Sequence, residues 1–266
     1  MTKKKTASKK LSRPSVNRLL PISTSIVVIT LAIIAYFVWL NTQSTTKLTK
    51  VNVTPTPATV QLTQPIALPK PSTSGKMSVE ATMFNRRSRR DFVDSSLSLK
   101  QIGQMLWAAQ GVTVNWGGRT APSAKSAYPL TLYLAVYKVE GLAAGIYKYI
   151  PGDRDPVHQV VLTKSGELKS EVAGAIGQNA ASNPPAIIMV TGDMDKMAKA
   201  FNNTRVDNNV YLEAGHAAQN LYLQAESLGL GMVTIAGFSQ DKVKSVMGLP
   251  GSETVIYAIP FGIPKK

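Results

Sequence analysis

Apolar side chains follow two different patterns along the later part of the chain, and each pattern predicts one kind of element. Helical spacing predicts helices over residues 98–109 and 210–228, which end at Gly111 and Gly229, and a short helix over 241–247. Continuous apolar runs predict buried strands over residues 130–137, 145–150, 186–191, 232–236 and 255–261. The alternation predicts an α+β domain in which helices cover a sheet.

A long apolar run precedes this domain. Residues 19–40 carry no charge, and about 20 apolar residues are enough for a helix to cross a membrane. A cleaved signal peptide is the alternative, but its apolar region is shorter and ends in small residues, whereas bulky side chains follow Ala35 here. We therefore predict an uncleaved, single-pass transmembrane helix. The basic tail 1–18 predicts a cytoplasmic N-terminus, with the domain outside the cytoplasm.

Residues 41–78 differ in composition from both neighbouring parts. They are rich in Thr, Ser and Pro and contain no aromatic residue, which is typical of an extended spacer that cannot bury enough apolar area to fold. The segment around Ile66 is the part of this stalk that can pack on the domain. The predicted organisation is therefore a tail, a membrane helix, a stalk and a globular domain over 79–266.

Charge and composition exclude several functions. The net charge of +15 is concentrated ahead of the domain, so it is weak evidence for nucleic-acid binding, and we predict none. The chain has no Cys and only two His, His158 and His216, which argues against disulfides and against a multi-histidine metal site. The glycines near residue 230 lack the spacing of a dinucleotide-binding loop.

Four local features carry candidate chemistry, each with a structural alternative. The run Arg86–Arg90 matches the charge and geometry of a phosphate, or is a solvated face. The small residues at 119–124 allow a flat ligand to approach the backbone, or form a turn. The segment 235–237 allows the same close approach, or is a tight turn. Glu213 and His216 are an acid–base pair, or a structural pair on one helix.

The order of these features resembles the nitroreductase family, and within it the SagB-type dehydrogenase branch, whose azoline dehydrogenases act in thiazole and oxazole peptide biosynthesis. The resemblance covers about residues 79–264. It is carried by RRSRRDF, RTAPSAKSAYPLTLYL, GIYKY, YLEAGHAAQNLYLQAESLGLG, TIAGF and YAIPFGIP in that order.

The resemblance implies a homodimer that binds FMN at its interface with residues of both subunits. It implies that Arg86, Arg87, Ser88 and Arg90 hold the phosphate and ribityl chain. The implied neighbours of the isoalloxazine are Pro122, Ser123, Ala124, Ser126, Ile235, Ala236 and Gly237. Lys265 or Lys266 matches loosely a basic residue near the family's C-terminus that reaches the phosphate.

The implied reaction is ping-pong hydride transfer through the flavin N5, with NAD(P)H or a quinol as the electron donor. Candidates for contact with the substrate or for catalysis are Tyr128, Arg205 and His216. Two alternatives remain open, a non-catalytic flavin-binding scaffold and a membrane-anchored reductive dehalogenase.

The chain departs from the family's pattern at three places. Lys125 stands where the branch often has Gly, and Ser126 where many nitroreductases have Asn. The pair Phe201-Asn202 replaces a Lys-Tyr pair that is frequent in the azoline dehydrogenases. These departures put azoline oxidation in doubt.

Overall fold

A computed structural model describes residues 24–43 and 64–265, and the chain divides into two units, Met1–Val60 and Gln61–Lys266. The described part of the first unit is helix α1 (Thr24–Gln43). Among the helices of the described residues, none combines the length and the apolarity needed to cross a membrane. The predicted transmembrane helix over 19–40 and the predicted localisation, a cytoplasmic N-terminus and an extracytoplasmic domain, are therefore wrong. The tail 1–18 and the spacer residues 44–63 lie outside the described residues.

A seven-stranded antiparallel sheet organises the second unit. Its strands are β1 (Ile66–Ala67), β2 (Leu130–Val136), β3 (Gly145–Gly152), β4 (Pro156–Ser165), β5 (Ala186–Asp193), β6 (Gly231–Met232) and β7 (Glu253–Gly262). They lie in the order β1-β4-β3-β2-β5-β7-β6, and every pairing is antiparallel. The central strands are buried on both sides, which explains why they read as continuous apolar runs.

Helices cover both faces of the sheet. The helices are α2 (Val79–Asn85), α3 (Leu99–Gln110), α4 (Lys169–Ile176), α5 (Met194–Ala200), α6 (Asp207–Ser227) and α7 (Gln240–Met247). One apolar cluster joins α3 and α6 to one face, and a second joins α4 and α7 to the other. Alternate residues of β2 point to opposite faces, so that Leu132 lies in the first cluster and Tyr133 in the second. The predicted α+β architecture is confirmed.

Local signals explain where the main helices begin and end. Ser98 and Gln101 form a reciprocal capping box at the start of α3, which satisfies two backbone donors that have no partner within the helix. Gly111 is the C-cap of α3, and Gly229 follows α6 with φ +69°, a left-handed conformation that favours glycine. The predicted boundaries of these two helices therefore lie close to the observed ones.

The segment ahead of residue 79 contributes to the sheet. Strand β1 pairs with β4, where Ile66 is opposite Val160. Next to this pairing, the Nε2 of His158 lies 3.1 Å from the carbonyl oxygen of Pro69, and its Nδ1 lies 2.9 Å from the Tyr149 hydroxyl. His158 is buried and has φ +49°. The last residues of the predicted spacer are thus fixed to an edge of the sheet.

Candidate active site

Helix α6 carries the two side chains that hold neighbouring segments of the candidate site. Its buried face consists largely of alanine, which lets the helix approach the sheet closely. Two polar side chains interrupt this face, Glu213 near one end and Tyr222 near the other. Because buried polar groups need hydrogen-bond partners, each of them attracts polar groups from a neighbouring loop.

Tyr222 connects the arginine segment to the segment after β6. Its hydroxyl lies 3.1 Å from the Ser88 Oγ and accepts a hydrogen bond of 3.1 Å from the Thr234 backbone N–H. Ser88 also forms a parallel bridge with Met232. Burial raises the pKa of Tyr222, but the hydrogen bonds with Ser88 and Thr234 and the charge of Arg86 outweigh burial, so the pKa lies below its usual value. The tyrosine therefore aligns two of the predicted motifs.

The four arginines of this segment differ in whether they form an ion pair. Arg89 forms an ion pair of 3.5 Å with Glu226 and is a structural residue. The Arg86 guanidinium lies 5.1 Å from the centre of the Tyr222 ring, and Arg87 donates to two neighbouring backbone carbonyls. Within residues 64–265, none of the three arginines predicted to bind phosphate is in an ion pair.

An open groove of about 730 Å³ lies beside this segment. Arg90 and Asp91 line one side, the residues 233–237 line another, and the turn Gly177–Ala180 lines a third. The backbone N–H groups of Ala236 and Gly237 make no hydrogen bond within the described part of the chain, whereas the N–H of Ile235 donates to Ala258 in the sheet. The lining of the groove therefore includes one cation, one carboxylate and two residues with unpaired backbone donors.

The C-terminal residues return to the arginine segment. The Lys265 backbone N–H donates to the Asp91 carbonyl oxygen at 3.0 Å, and Pro264 bridges to Phe92. The predicted basic residue at the C-terminus thus lies next in space to the residue after Arg90. Lys266 lies outside the described residues.

Glu213 anchors the Pro-Ser-Ala loop, which comprises residues 122–128. Its Oε1 accepts from the Ser123 hydroxyl at 3.0 Å and from the Ala124 N–H at 2.8 Å. Burial raises the pKa of Glu213, although these two bonds and the charge of His216 oppose the rise. Three residues of the loop have a left-handed backbone, Lys125 (φ +51°), Ser126 (φ +53°) and Tyr128 (φ +46°). Such conformations persist only where surrounding contacts impose them, and they are frequent at functional sites.

The loop and the groove lie at different ends of α6. Glu213 and Tyr222 are nine positions apart in the sequence, which corresponds to roughly 13 Å along a helix. The groove is lined by residues of the first and third predicted motifs and by none of the loop. One chain therefore brings together the arginine segment, residues 235–237 and Lys265, but does not bring Pro122, Ser123, Ala124 or Ser126 into that groove.

The three catalytic candidates do not share one cluster. Arg205 is exposed and forms ion pairs with Asp195 at 2.6 Å and Asp207 at 2.8 Å. His216 is exposed on α6, one helical turn after Glu213. Tyr128 packs against the Arg119 guanidinium, whose carbon lies 4.5 Å from the ring centre. Their roles stay predictions.

Two of the departures from the family's pattern meet in space. The Lys125 Nζ lies 4.5 Å from the centre of the Phe201 ring, a cation–π distance. The adjoining Asn202 has φ +56°. The two substitutions therefore form one feature beside the Pro-Ser-Ala loop.

Sequence reasoning missed several residues of the site. The functions of Tyr222 and Glu226 had no signal, because a tyrosine and a glutamate on a long helix fit many environments. The turn Gly177–Ala180 follows α4, a helix that the pattern did not predict. The contact between Glu213 and the Pro-Ser-Ala loop is the one that could have been suspected. Glu213 falls on the buried face of α6, and a buried carboxylate needs hydrogen-bond donors.

Comparisons with known proteins agree with this architecture. The model of the nitroreductase family matches residues 83–263. A nitroreductase-like protein of Methanocaldococcus jannaschii is 33% identical over 188 residues, 70% of this chain and 91% of that protein. A nitroreductase-like structure from Ralstonia eutropha JMP134 superposes with a TM-score of 0.63 at 30% identity, covering 76% of this chain and 90% of that one.

A more distant likeness concerns the fold alone. The structure of an NADPH:FMN oxidoreductase from Vibrio harveyi in complex with NAD+ has a TM-score of 0.50 at 19% identity, covering 71% of this chain and 69% of that one. The family match extends over most of the chain, and the curated relative is covered almost completely. The chain belongs to the nitroreductase family, and it is an oxidoreductase.

Proposed function

We propose that this oxidoreductase uses FMN and holds it between two copies of the chain. The observation that carries the proposal is the groove lined by Arg90 and by Ala236 and Gly237, whose backbone N–H groups make no hydrogen bond within residues 64–265. The family membership supports it, and so does the name of the Vibrio harveyi neighbour, which gives both NADPH and FMN.

The cations of the arginine segment and the C-terminus fit a phosphomonoester. Such a group carries about −1.5 to −2 charges at neutral pH and offers three strong acceptor oxygens. Arg86, Arg87 and Arg90 are outside any ion pair of residues 64–265, and the Ser88 hydroxyl of the same segment is held 3.1 Å from the Tyr222 hydroxyl. Lys265 would add a further cation from the C-terminus. These residues would hold the phosphate, while Arg89 keeps the segment attached to α6 through Glu226.

The small residues after β6 fit a flat ring. Ala236 and Gly237 are small, exposed residues that line the groove, and their backbone N–H groups make no hydrogen bond within residues 64–265. Directed donors of this kind stabilise negative charge that develops on a bound ring. We place Ile235, Ala236 and Gly237 against one side of the isoalloxazine, and the Pro-Ser-Ala loop of a second copy, with Pro122, Ser123, Ala124 and Ser126, against the other.

Bound FMN would supply the two-electron redox chemistry, alternately with a donor and an acceptor. The chain's own residues bind the phosphate, orient the ring and exclude water from it. NAD(P)H is the donor that we propose. The quinol alternative depended on a domain outside the cytoplasmic membrane, and that localisation does not hold.

The flavin proposal is tested by the spectrum of the purified protein and by cofactor titration. We expect a flavin absorbance band that NAD(P)H bleaches under anaerobic conditions. Arg90→Gln should weaken FMN binding at least tenfold, because a charge-assisted contact to the phosphate is lost. Arg154→Gln, which removes an exposed arginine in the β3–β4 turn, is the matched control. Full FMN affinity in Arg90→Gln would contradict the assignment.

The shared site is tested by mixing two defective variants. Arg90→Gln impairs the phosphate side, and Ser123→Trp blocks the loop side. In a mixed dimer one site carries both defects and the other carries none, so random mixing should restore about a quarter of the sites. If each site is built from one chain, mixing restores nothing.

The alternatives make different predictions. A non-catalytic scaffold would bind FMN without reduction by NAD(P)H, so turnover with any acceptor excludes it. The dehalogenase alternative depended on a membrane anchor that the described residues do not provide. Azoline oxidation is not part of the proposal, because the Lys125–Phe201 contact occupies the positions at which the chain departs from the SagB-type pattern.

A further inference from the structure

A second, smaller cavity lies behind the Pro-Ser-Ala loop and is strongly cationic. It has a volume of about 190 Å³ and lies between the start of β2, the end of β3 and helix α5. Arg119, Lys148 and Lys196 line it, and the described residues of its lining include no aspartate or glutamate. It shares no lining residue with the groove proposed to hold FMN.

Arg119 is only partly exposed and is held by two side-chain contacts. Its Nη1 donates to the Gln110 Oε1 at 2.9 Å, and its guanidinium stacks on Tyr128. Its Nε is buried and has no hydrogen-bond partner. Burial lowers the pKa of Arg119, and the groups of Tyr128, Tyr149 and Asp153 oppose this shift. A buried donor without an acceptor is unusual in a folded protein, and an acceptor oxygen of a bound ligand would satisfy it.

The two lysines add further positive charge to the lining of the cavity. The Lys196 Nζ donates to the Tyr128 carbonyl oxygen at 2.9 Å, and the Lys148 Nζ lies 5.8 Å from the Tyr133 ring centre. Among the ion pairs of residues 64–265, none includes a cation of this cavity. Partial burial and the charges of Arg119 and Lys148 lower the pKa of Lys196, and the charges of Asp193 and Asp153 oppose the shift.

We propose that this cavity binds one oxyanion group, the phosphate or carboxylate of a small ligand. Three converging cations match the charge of such a group, and the planar guanidinium matches its oxygen geometry. The volume is below the range of pockets that enclose a whole organic ligand, so it accommodates the anionic end and leaves the remainder outside.

The cationic cavity is connected to the Pro-Ser-Ala loop through Tyr128. The Tyr128 N–H donates to the Ser123 Oγ at 2.7 Å, its carbonyl accepts from Lys196, and its ring lies under Arg119. A bound anion attracts Lys196, which contacts the Tyr128 carbonyl, and Arg119, which contacts the Tyr128 ring. Anion binding therefore affects both contacts of this residue. The binding site itself does not depend on the proposed flavin site.

The test is isothermal titration of the full chain, saturated with FMN, with inorganic phosphate and separately with succinate. We expect saturable binding of at least one anion at one site per chain, and the tighter of the two identifies the group. Arg119→Gln and the double variant Lys148→Met, Lys196→Met should each weaken it at least tenfold. The double variant leaves the stacking of Arg119 intact, so it is informative even if Arg119→Gln folds poorly.

The matched control is Lys199→Met, which removes an exposed lysine of the same helix and should bind like the original chain. Binding should also weaken with added NaCl, because ionic contacts are screened. The proposal would be overturned if neither anion bound saturably. It would also be overturned if the double variant bound the anion as tightly as the original chain.

Discussion

Removal of the Glu213 carboxylate is the sharpest test of how the Pro-Ser-Ala loop is held. Glu213 is 5% exposed, and a single oxygen, Oε1, accepts from both Ser123 and Ala124. Glu213→Ala deletes this acceptor and leaves two donors unpaired. Glu213→Gln keeps an acceptor oxygen in the same place and removes only the charge. The two variants therefore separate the hydrogen bonds from the ionic charge.

The structure gives different magnitudes for the two changes. A buried donor left without a partner costs about 1–3 kcal/mol, and these two donors are only half-buried, so we expect Glu213→Ala to lose about 2–3 kcal/mol. In Glu213→Gln, the hydrogen bonds to the loop become weaker, which destabilises the fold. The neutral amide also avoids the desolvation cost of a buried carboxylate, the same cost that raises the pKa of Glu213, and this offsets the loss. We expect its free energy of unfolding to stay within about 1 kcal/mol of the original.

Urea unfolding of both variants measures these differences, with Glu167→Ala, an exposed acid, as the control. The pH dependence adds a second check. The folded-state pKa of Glu213 lies above the unfolded value of 4.5, so folding takes up a proton and the original chain gains stability over Glu213→Gln as the pH falls toward that value. Equal losses in the alanine and glutamine variants would refute the reasoning, because the acceptor would then be irrelevant.

Three further predictions concern other parts of the domain. Tyr222→Phe removes the hydrogen bonds that align Ser88 and should cost about 1–2 kcal/mol in urea unfolding. Burial lowers the pKa of His158, although its bond to the backbone opposes this, so thermal stability should fall as the pH drops below its unfolded value of 6.5, and less so in His158→Gln. Gly152→Ala places a Cβ 2.0 Å from a backbone oxygen at φ +93° and should cost about 2–4 kcal/mol, whereas Gly174→Ala, in open space on α4, should gain about 0.5–1 kcal/mol.

The fold was predictable where one element carries one pattern. Strand β5 is buried on both faces and α3 has a capping box, so apolar continuity and end signals identified both. Strand β4 was missed, because it mixes exposed and buried positions and contains His158 with a left-handed backbone. The predicted strand 232–236 is a regular strand only at Gly231–Met232, and it returns to the sheet at a single bridge between Ile235 and Ala258.

The segments of the candidate site were predictable from the sequence, but their positions relative to one another were not. The order of the motifs identified the family, and the choice of Arg86, Arg87 and Arg90 over Arg89 agrees with the ion pair that occupies Arg89. The positions of these segments depend on the spacing of Glu213 and Tyr222 along one helix. No local sequence pattern predicts that these two residues bind the segments. The cationic cavity was also missed, because its three cations come from segments far apart in the sequence.

The Pro-Ser-Ala loop is held by an interaction weaker than its geometry suggests. Three residues with a left-handed backbone store strain of roughly 1 kcal/mol or more each, and the carboxylate that restrains them is itself disfavoured by burial. Further contacts must therefore favour the observed conformation whenever the loop is fully ordered. If the loop closes on FMN held by a second copy, cofactor binding and loop order are linked, and FMN should raise the midpoint of thermal unfolding in proportion to the logarithm of its concentration. A midpoint that does not respond to saturating FMN would show that the folded chain does not bind the cofactor, and the proposed linkage would then be refuted.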